Sequence, residues 1–388
     1  MYAYAFLHGC VFLYPVMALM FQANDVSEIQ ITILLMSWAV FVMVLQPVLG
    51  IIGDKYSRKK ILVFGQLCKL ICFMIFLFFP HFWGYMLGFF FWGIEWGISA
   101  SINKAFLYDE LRVLGARHRY ARVDGNMLSW KSVGTLLAVS GSYIAAHHGY
   151  NSVLWITMAM MIFGLFILLS IDMEQPESYI IVRKTPQPFF ANFKKGVKKI
   201  FKIKHLFMTL VVLSFITGMG DSEDYVSLLG SEMGIRLEHI GLLFATARVA
   251  EIIGGITIQY AGKMSAFMIN FIVVASGVAF AMMLFVNALT IWFVLFIGAF
   301  LCTIANVFLT TRVQNAIPSA QRATIMSIYD MISQVAILFI YAVIGFGVIF
   351  GGGYKLGYFL VGAFIAIMGV YAVMFLGDVK RKRAAQTA

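Results

Sequence analysis

The chain has 388 residues, of which 61% are hydrophobic and 12% are charged, and its mean hydropathy is +0.88. A soluble domain of this length carries about 25% charged residues, so the composition excludes an ordinary soluble protein and indicates a membrane protein. A net charge of +11 is also typical of nucleic-acid-binding proteins, and the positions of the basic residues decide between these two classes.

Twelve apolar runs follow one another along the chain. They cover about residues 3–22, 30–52, 61–79, 82–107, 124–147, 151–171, 205–229, 238–260, 265–286, 290–314, 323–349 and 354–376. A run of about 20 apolar residues is long enough to cross the hydrocarbon core of a bilayer as a helix. We therefore expect an all-α membrane protein with twelve transmembrane helices, surrounded by lipid.

The lysine and arginine residues are concentrated in alternate loops. Of the 29, 23 fall in loops on one side of the expected membrane, and only Arg236 and Lys355 fall in loops on the other side. Basic loops stay in the cytoplasm, so both termini are predicted to be cytoplasmic. This asymmetry explains the positive charge by topology, and no nucleic-acid partner is expected.

The two halves of the chain repeat one another. Gly53-Asp54-Lys55 closes the second run and Gly262-Lys263 closes the eighth, about 210 residues later, which is typical of two parallel, pseudo-symmetric six-helix bundles. The predicted bundles cover residues 1–171 and 205–388. The linker, residues 172–204, alternates aromatics and lysines in its later part, which favours a helix in the membrane interface; a solvated linker is the alternative.

The loop between the second and third runs is short and basic. It reads Gly53-Asp54-Lys55-Tyr56-Ser57-Arg58-Lys59-Lys60. With Gly50, which precedes it, the loop resembles the signature G-x-x-x-D-[RK]-x-[GS]-R-[RK]-[RK] of the first repeat in the major facilitator superfamily. Residues 105–111, AFLYDEL, resemble the A-x-L-Y-D-x-L pattern of a bacterial, drug-exporter-like branch of that superfamily.

This resemblance implies two bundles around a central cavity that opens alternately to each side of the bacterial inner membrane. It also implies conformational gating by Gly53, Asp54, Arg58 and Asp109. In the superfamily pattern Arg58 would pair with Asp109, and Asp54 would cap the start of the eleventh helix. Such contacts stabilise one conformation of an alternating-access cycle. The protein is expected to be a monomeric secondary transporter of a small molecule.

The energy source for transport is predicted to be a proton gradient. The sequence contains no Gly-x-x-x-x-Gly-Lys-Ser/Thr loop and no soluble segment large enough to bind ATP. No cofactor, no metal and no enzymatic activity are expected. Ionisable residues inside membrane helices are costly and mark functional sites or buried pairs, and histidine exchanges a proton near neutral pH. The proton-coupling candidates are Glu95, Glu251, Asp330 and His8.

Other polar and aromatic residues of the apolar runs are candidates for substrate binding. Arg248 lies three residues before Glu251, so the two form either a structural pair or a substrate or proton site. Two tryptophans flank Glu95 at neighbouring helical positions. Asp221 belongs to a polar stripe of the seventh run, from which Glu223 is predicted to point away. The substrate-binding candidates are Arg248, Lys131, Trp92, Trp96, Asp221, Thr303, Asn306 and Tyr14.

Two functions follow from these observations. The family resemblance favours proton-coupled export of a drug or metabolite. The fifth run, however, has neither proline nor paired glycines where proton-driven drug antiporters carry G-P-x-x-G-G, and Lys131 and Arg248 suit a carboxylate. The alternative is an importer of an anionic metabolite such as a carboxylate or an iron-siderophore, expected if both cations face a cavity with no acid in reach. A lipid-like solute is a third candidate, and a non-transporting sensor is the alternative from a different class.

Overall fold

The structure, a computed structural model, describes residues 1–55, 57–113, 115–116, 119–171, 204–257, 264–316 and 319–387, in parts of some helices by the backbone alone. Every regular element in these ranges is a helix, so the predicted all-α fold class is confirmed. Helices are the natural solution for apolar segments in lipid, because each one satisfies its backbone hydrogen bonds internally.

The first compact unit comprises Met1–Gln187 together with Arg236–Leu242. Its helices are α1 (Tyr2–Ala23), α2 (Glu28–Lys55), α3 (Arg58–Phe78), α4 (Phe82–Val113), α5 (Tyr120–Ala138) and α6 (Gly141–Ser170). The main packing pairs are α2 with α4, α3 with α4, α1 with α5, and α3 with α6. The ring of Phe21 on α1 packs on Phe76 of α3 and on Phe89 of α4, so side chains of these three helices meet in the core of the unit.

The second compact unit comprises Pro188–Ile235 and Leu243–Ala388. Its helices are α7 (Leu206–Glu232), α8 (Leu237–Thr257, whose first turns are grouped with the first unit), α9 (Ala266–Ala281), α10 (Ile291–Ala316), α11 (Ser319–Ile349) and α12 (Gly353–Thr387). The main packing pairs are α9 with α12, α11 with α12, α7 with α11, and α9 with α10.

The helices agree with the predicted runs. Ten of the described helices are long and apolar enough to cross a membrane, and α4 and α5 complete the twelve. The predicted boundaries of the linker stay a prediction, because residues 172–203, with the expected interfacial helix, lie outside the described residues.

Helix α1 is interrupted where the sequence predicts one continuous run. It consists of an α-helix Tyr2–Gly9, a 3-10 turn Tyr14–Val16 and a second α-helix Met17–Ala23. Pro15 lies in the turn and has no N–H to donate to a preceding carbonyl, which breaks an α-helix. The interruption places His8 in the last turn of the first segment.

The boundary between the fifth and sixth predicted runs falls at Gly149. This residue has φ 79° inside helix α6, a conformation that glycine adopts without the steric cost of a side chain. A second interruption separates α5 from α6 at Val139 and Ser140, inside the run predicted over residues 124–147. The fifth predicted helix is thus made of α5 and the first turns of α6.

The signature loop is shorter than predicted. Helix α2 extends to Lys55 and α3 begins at Arg58, so Gly53 and Asp54 belong to the end of a helix and not to a loop. The side chains of Asp54, Arg58 and Asp109 lie outside what the structure describes. The gating contacts implied by the family resemblance therefore stay a prediction.

Side chains satisfy the free backbone groups at several helix ends. At the start of α2, Ser27 Oγ accepts from the N–H of Gln30 (3.3 Å) while Gln30 Oε1 accepts from the N–H of Ser27 (3.0 Å), a reciprocal capping box. At the end of α6, Lys59 Nζ donates to the carbonyls of Leu169 (3.0 Å) and Ile171 (2.5 Å). A basic residue of the signature loop therefore caps the sixth helix.

We predict that Lys59→Met lowers the free energy of unfolding by about 1 kcal/mol, since charged donors at helix carbonyls contribute on this order. The measurement is the melting temperature of the purified protein in detergent. Lys60→Met is the matched control, because Lys60 is the exposed neighbouring residue and the same substitution there leaves the cap intact. Equal melting temperatures of the two variants would contradict the capping role of Lys59.

Candidate functional site

An ionic cluster lies inside the first unit, on helices α1, α3 and α4. Glu95 Oε1 is 2.8 Å from His8 Nε2, and Glu95 Oε2 is 3.5 Å from Lys69 Nζ. All three residues are buried, with exposed fractions of 2% for Glu95, 7% for His8 and 0% for Lys69. A buried charge is tolerated in a membrane protein when it is paired, and Glu95 has one basic partner on each oxygen.

Aromatic rings close this cluster on one side. Lys69 Nζ lies 5.7 Å from the ring centre of Trp92, within the range of a cation–π interaction. The Trp92 ring also packs on Tyr14, at 5.6 Å between ring centres, and on Phe73, at 5.4 Å. The predicted candidates Trp92 and Tyr14 therefore form the wall of the ionic cluster.

Lys69 is a functional candidate that the sequence analysis missed. It is a charged residue within the third apolar run, and that is the signal by which it could have been chosen. The single sequence gave no partner for it, because Glu95 lies 26 residues away on another helix. Only the packing of α3 against α4 shows that the two residues form an ion pair.

Lys131 and Trp96 lie in the same unit as the first cluster. Lys131 Nζ is 5.8 Å from the ring centre of Trp96, which in turn packs on Trp38 at 5.5 Å. Lys131 is partly buried. The two predicted candidates thus contact each other as a cation and an aromatic ring.

The net charge of this cluster depends on the protonation of the His8 imidazole. With a neutral imidazole, the carboxylate of Glu95 and the ammonium of Lys69 cancel. An added proton leaves a net positive charge in a buried position, which is costly in a low-dielectric environment. Protonation of His8 therefore lowers the stability of this packing arrangement.

A second ionic cluster lies in the second unit, on helices α7 and α8. The guanidinium of Arg248 pairs with Glu251 through Nη1 and Oε2 at 2.9 Å, and through Nη2 with Glu223. Its carbon Cζ lies 5.3 Å from the ring centre of Phe244. The side chains of Arg248, Glu223 and Glu251 are 25%, 26% and 29% exposed, so this cluster is more open than the first.

The orientation predicted for Glu223 is wrong. A uniform α-helix turns about 100° per residue and would direct Glu223 away from the Asp221 stripe. Helix α7 instead changes to a 3-10 turn over Ser222–Tyr225, which turns about 120° per residue. Glu223 is thereby placed against Arg248. The predicted pairing of Arg248 with Glu251 is present in the structure.

A cavity of about 290 Å³ adjoins this second cluster within the same unit. Its lining includes Asp221, Glu223, Arg248 and Glu251, together with the predicted candidates Thr303 and Asn306. We refer to it as the α7–α10 cavity, because its lining includes helices α7, α8, α9 and α10. Four of the residues chosen from the sequence for substrate binding, Asp221, Arg248, Thr303 and Asn306, therefore line one cavity.

A hydrogen-bond network forms the polar wall of the α7–α10 cavity. Asn306 Nδ2 donates to Thr217 Oγ1 at 2.8 Å, and Thr217 Oγ1 lies 2.6 Å from the hydroxyl of Tyr329. Tyr329 was not predicted, because an aromatic residue in an apolar run is indistinguishable from a packing residue. Its neighbour Asp330 is partly buried on α11 and does not line the cavity. A proton-coupling role for Asp330 stays a prediction.

The region beyond the cavity holds a fourth acid, in addition to Asp221, Glu223 and Glu251. Asp224 accepts a hydrogen bond from the hydroxyl of Tyr341 at 3.1 Å, so it is bound to α11 and does not line the cavity. No group of three or more His, Cys, Asp or Glu side chains in the described ranges is arranged to hold a metal ion.

Comparison with known proteins identifies the family and the fold. The sequence matches the family model of the Major Facilitator Superfamily over residues 3–341. A crystal structure of the nucleoside transporter NupG has a TM-score of 0.76 and 15% sequence identity, over 97% of this chain and 98% of that one. A mutant structure of the same transporter has a TM-score of 0.71 and 16% identity, over 96% and 98%. At such identities the likeness shows the fold alone.

A curated relative matches a smaller part of the chain. The uncharacterized transporter BU466 of Buchnera aphidicola subsp. Acyrthosiphon pisum (strain APS) is 29% identical over 119 residues. The match covers 31% of this chain and 29% of that protein, so the chain spans less than a third of the length of this relative.

We predict that Lys69 and Glu95 are strongly coupled in stability. Lys69→Met leaves a buried carboxylate with His8 alone and should lower the free energy of unfolding by about 3 kcal/mol, as expected for breaking a buried ion pair. The double variant Lys69→Met with Glu95→Gln should regain most of that loss, because no unpaired charge remains. Melting temperatures of the single and double variants measure this coupling.

Lys60→Met is the control for this cycle, since it makes the same change at an exposed position of the same helix. Glu95→Gln is also measured alone. If the stability losses of Lys69→Met and Glu95→Gln add up to the loss of the double variant, the ion pair is contradicted.

Proposed function

Because the chain belongs to the major facilitator superfamily, we propose that it is a proton-coupled secondary transporter of a small organic solute that works by alternating access. The observation that carries the coupling is the buried cluster of Glu95, His8 and Lys69, at distances of 2.8 and 3.5 Å. A carboxylate held between an imidazole and an ammonium changes the net charge of the cluster when a proton is taken up from water or released to it. Helix packing around the cluster then responds to its charge.

The α7–α10 cavity supports solute binding in the second unit. It combines polar groups at Thr217 and Asn306 with an ionic cluster at Arg248, and ligand sites typically combine an apolar lining with a few fixed polar groups. The carboxylates of Glu223 and Glu251 are both paired with Arg248. This arrangement weighs against the anionic-metabolite importer, which required Arg248 to have no acid within salt-bridge reach.

Export of a drug or metabolite remains the proposed direction, on the family resemblance of the sequence. The protein would then be an antiporter of the bacterial inner membrane, with both termini in the cytoplasm and a monomer as the working unit. The known nucleoside transporter of the same fold adds nucleosides to the solutes to be screened. It adds no more than that, because the sequence identity is 15%.

The experiment begins with a thermal-shift screen of the purified protein against drugs, nucleosides, organic acids and siderophores. A solute that raises the melting temperature is then tested in proteoliposomes that contain a pH-sensitive dye. We predict that adding this solute changes the internal pH of wild-type vesicles, and that Glu95→Gln abolishes the pH change. Exchange of labelled for unlabelled solute should persist in Glu95→Gln, because exchange needs no net proton transfer.

Asp25→Asn is the matched control for charge removal, since Asp25 is exposed between α1 and α2 and asparagine tolerates its φ of 59°. This variant should transport as the wild type does. Normal proton-linked transport by Glu95→Gln would remove the first cluster as the coupling site. Comparison of inward and outward pH gradients gives the direction, and solute movement that ignores both gradients would contradict proton coupling.

A further inference from the structure

The α7–α10 cavity has an excess of negative charge. Three carboxylates line it, those of Asp221, Glu223 and Glu251, and among its described lining residues Arg248 is the one lysine or arginine. With all four groups ionised, the lining carries a net charge of −2. Within membrane helices such an excess must be balanced by a proton or by a bound cation.

Asp221 is the cavity carboxylate that forms no ion pair with Arg248. Its side chain is exposed at the cavity. Among the described residues, no hydrogen bond or ion pair to this carboxylate is present, whereas Arg248 pairs with both Glu223 and Glu251. The cavity therefore presents one carboxylate that is open to a ligand and two that already bind a cation.

The surroundings of the Arg248 guanidinium resemble a binding site for an organic cation. Its guanidinium bridges two carboxylates and lies against the face of Phe244, which is how proteins bind guanidinium and amine ligands. The cluster is about one quarter exposed, and Arg248 Nε has no hydrogen-bond partner among the described residues. The arginine is therefore held mainly by the two carboxylates, on a flexible side chain that can move aside.

The remaining lining suits a solute with an apolar body. Phe280 and Tyr358 supply aromatic surface, Val226 and Leu295 supply aliphatic surface, and Asn306 supplies an amide. A carboxylate solute would meet three like charges, and such juxtaposition is an effective means of exclusion. An amphiphilic cation would find both a counter-charge and apolar contacts in the same cavity.

We infer that the α7–α10 cavity binds an organic cation, a protonated amine or guanidine on an apolar body, which displaces Arg248 from the carboxylates of Glu223 and Glu251. This inference rests on the proposed transport function and specifies its substrate class. Arg248 acts as a tethered counter-ion that neutralises the empty cavity and competes with the solute. It does not anchor an anionic substrate.

The test uses three probes of similar shape and different charge: 2-phenylethylamine, 2-phenylethanol and 3-phenylpropionate. Their binding to the purified full-length protein in detergent is measured by calorimetry at neutral pH. The amine should bind about tenfold more tightly than the alcohol, because it alone forms an ion pair, and the carboxylate should not bind. Binding of none of the probes, equal binding of all three, or preference for the carboxylate would overturn the inference.

Substitution of Arg248 shows whether this residue competes with the solute or anchors it. Arg248→Gln removes the tethered cation and should strengthen binding of 2-phenylethylamine by about tenfold, with a larger increase in melting temperature on amine addition than in wild type. Loss of amine binding in this variant would overturn the inference. Arg236→Gln is the control, because that arginine is 81% exposed and pairs with Glu238, away from the cavity.

If Arg248→Gln does not fold, Glu251→Gln tests the cation site instead. It removes one of the two carboxylates and should weaken amine binding while leaving binding of 2-phenylethanol unchanged; equal amine affinity in wild type and Glu251→Gln would overturn the inference. These measurements need no ion gradient. Failure of the amine preference therefore leaves proton-coupled transport standing, and failure of pH-driven transport leaves the cation site standing.

Discussion

The structure depends on one constraint: an ionised side chain that is buried between membrane helices must have a partner of opposite charge. The two units meet this constraint in opposite ways. In the first, the acid Glu95 lies between two basic groups, His8 and Lys69. In the second, the base Arg248 lies between two acids, Glu223 and Glu251. Each central residue is therefore held from two sides, and its partners fix the helices that carry them.

The two clusters differ in their access to water, and this difference favours different roles. The first joins three helices and is closed, with exposed fractions of 7% or less. The second is about one quarter exposed and adjoins a cavity of about 290 Å³. On the proposed function, the closed cluster is the candidate for proton coupling and the open cavity is the candidate for solute binding.

The amino-acid sequence predicts the elements of this structure better than their contacts. Run length and hydropathy gave the twelve helices, and the spacing of Arg248 and Glu251 gave their pairing, since both depend on local geometry. The partner of Glu95 was not predicted, because Lys69 lies on another helix and periodicity within one helix contains no information about its neighbours. The predicted direction of Glu223 was wrong because a 3-10 turn over Ser222–Tyr225 rotates the side chains that follow. The hydrophobic pattern contains no sign of this turn.

The interruptions of α1 and α7 explain why the clusters form where they do. These are the first helices of the two six-helix repeats, and each changes geometry beside an ionic cluster: α1 after Gly9, next to His8, and α7 at Ser222–Tyr225, which contains Glu223. A broken helix leaves backbone carbonyls without their usual donors, and in a membrane these must be satisfied by other groups. In α7 the hydroxyl of Tyr358 donates to the carbonyl of Ser222 at 3.0 Å. The single O–H of Tyr341 is shared between the carbonyl of Asp221 at 3.2 Å and the carboxylate of Asp224 at 3.1 Å.

The two tyrosines that stabilise the break in α7 lie on α11 and α12. The turn that directs Glu223 toward Arg248 is therefore held by helices that do not contribute to the ionic cluster itself. The ion pair of Glu223 with Arg248 thus depends on a 3-10 turn whose backbone carbonyls are hydrogen-bonded to side chains of α11 and α12.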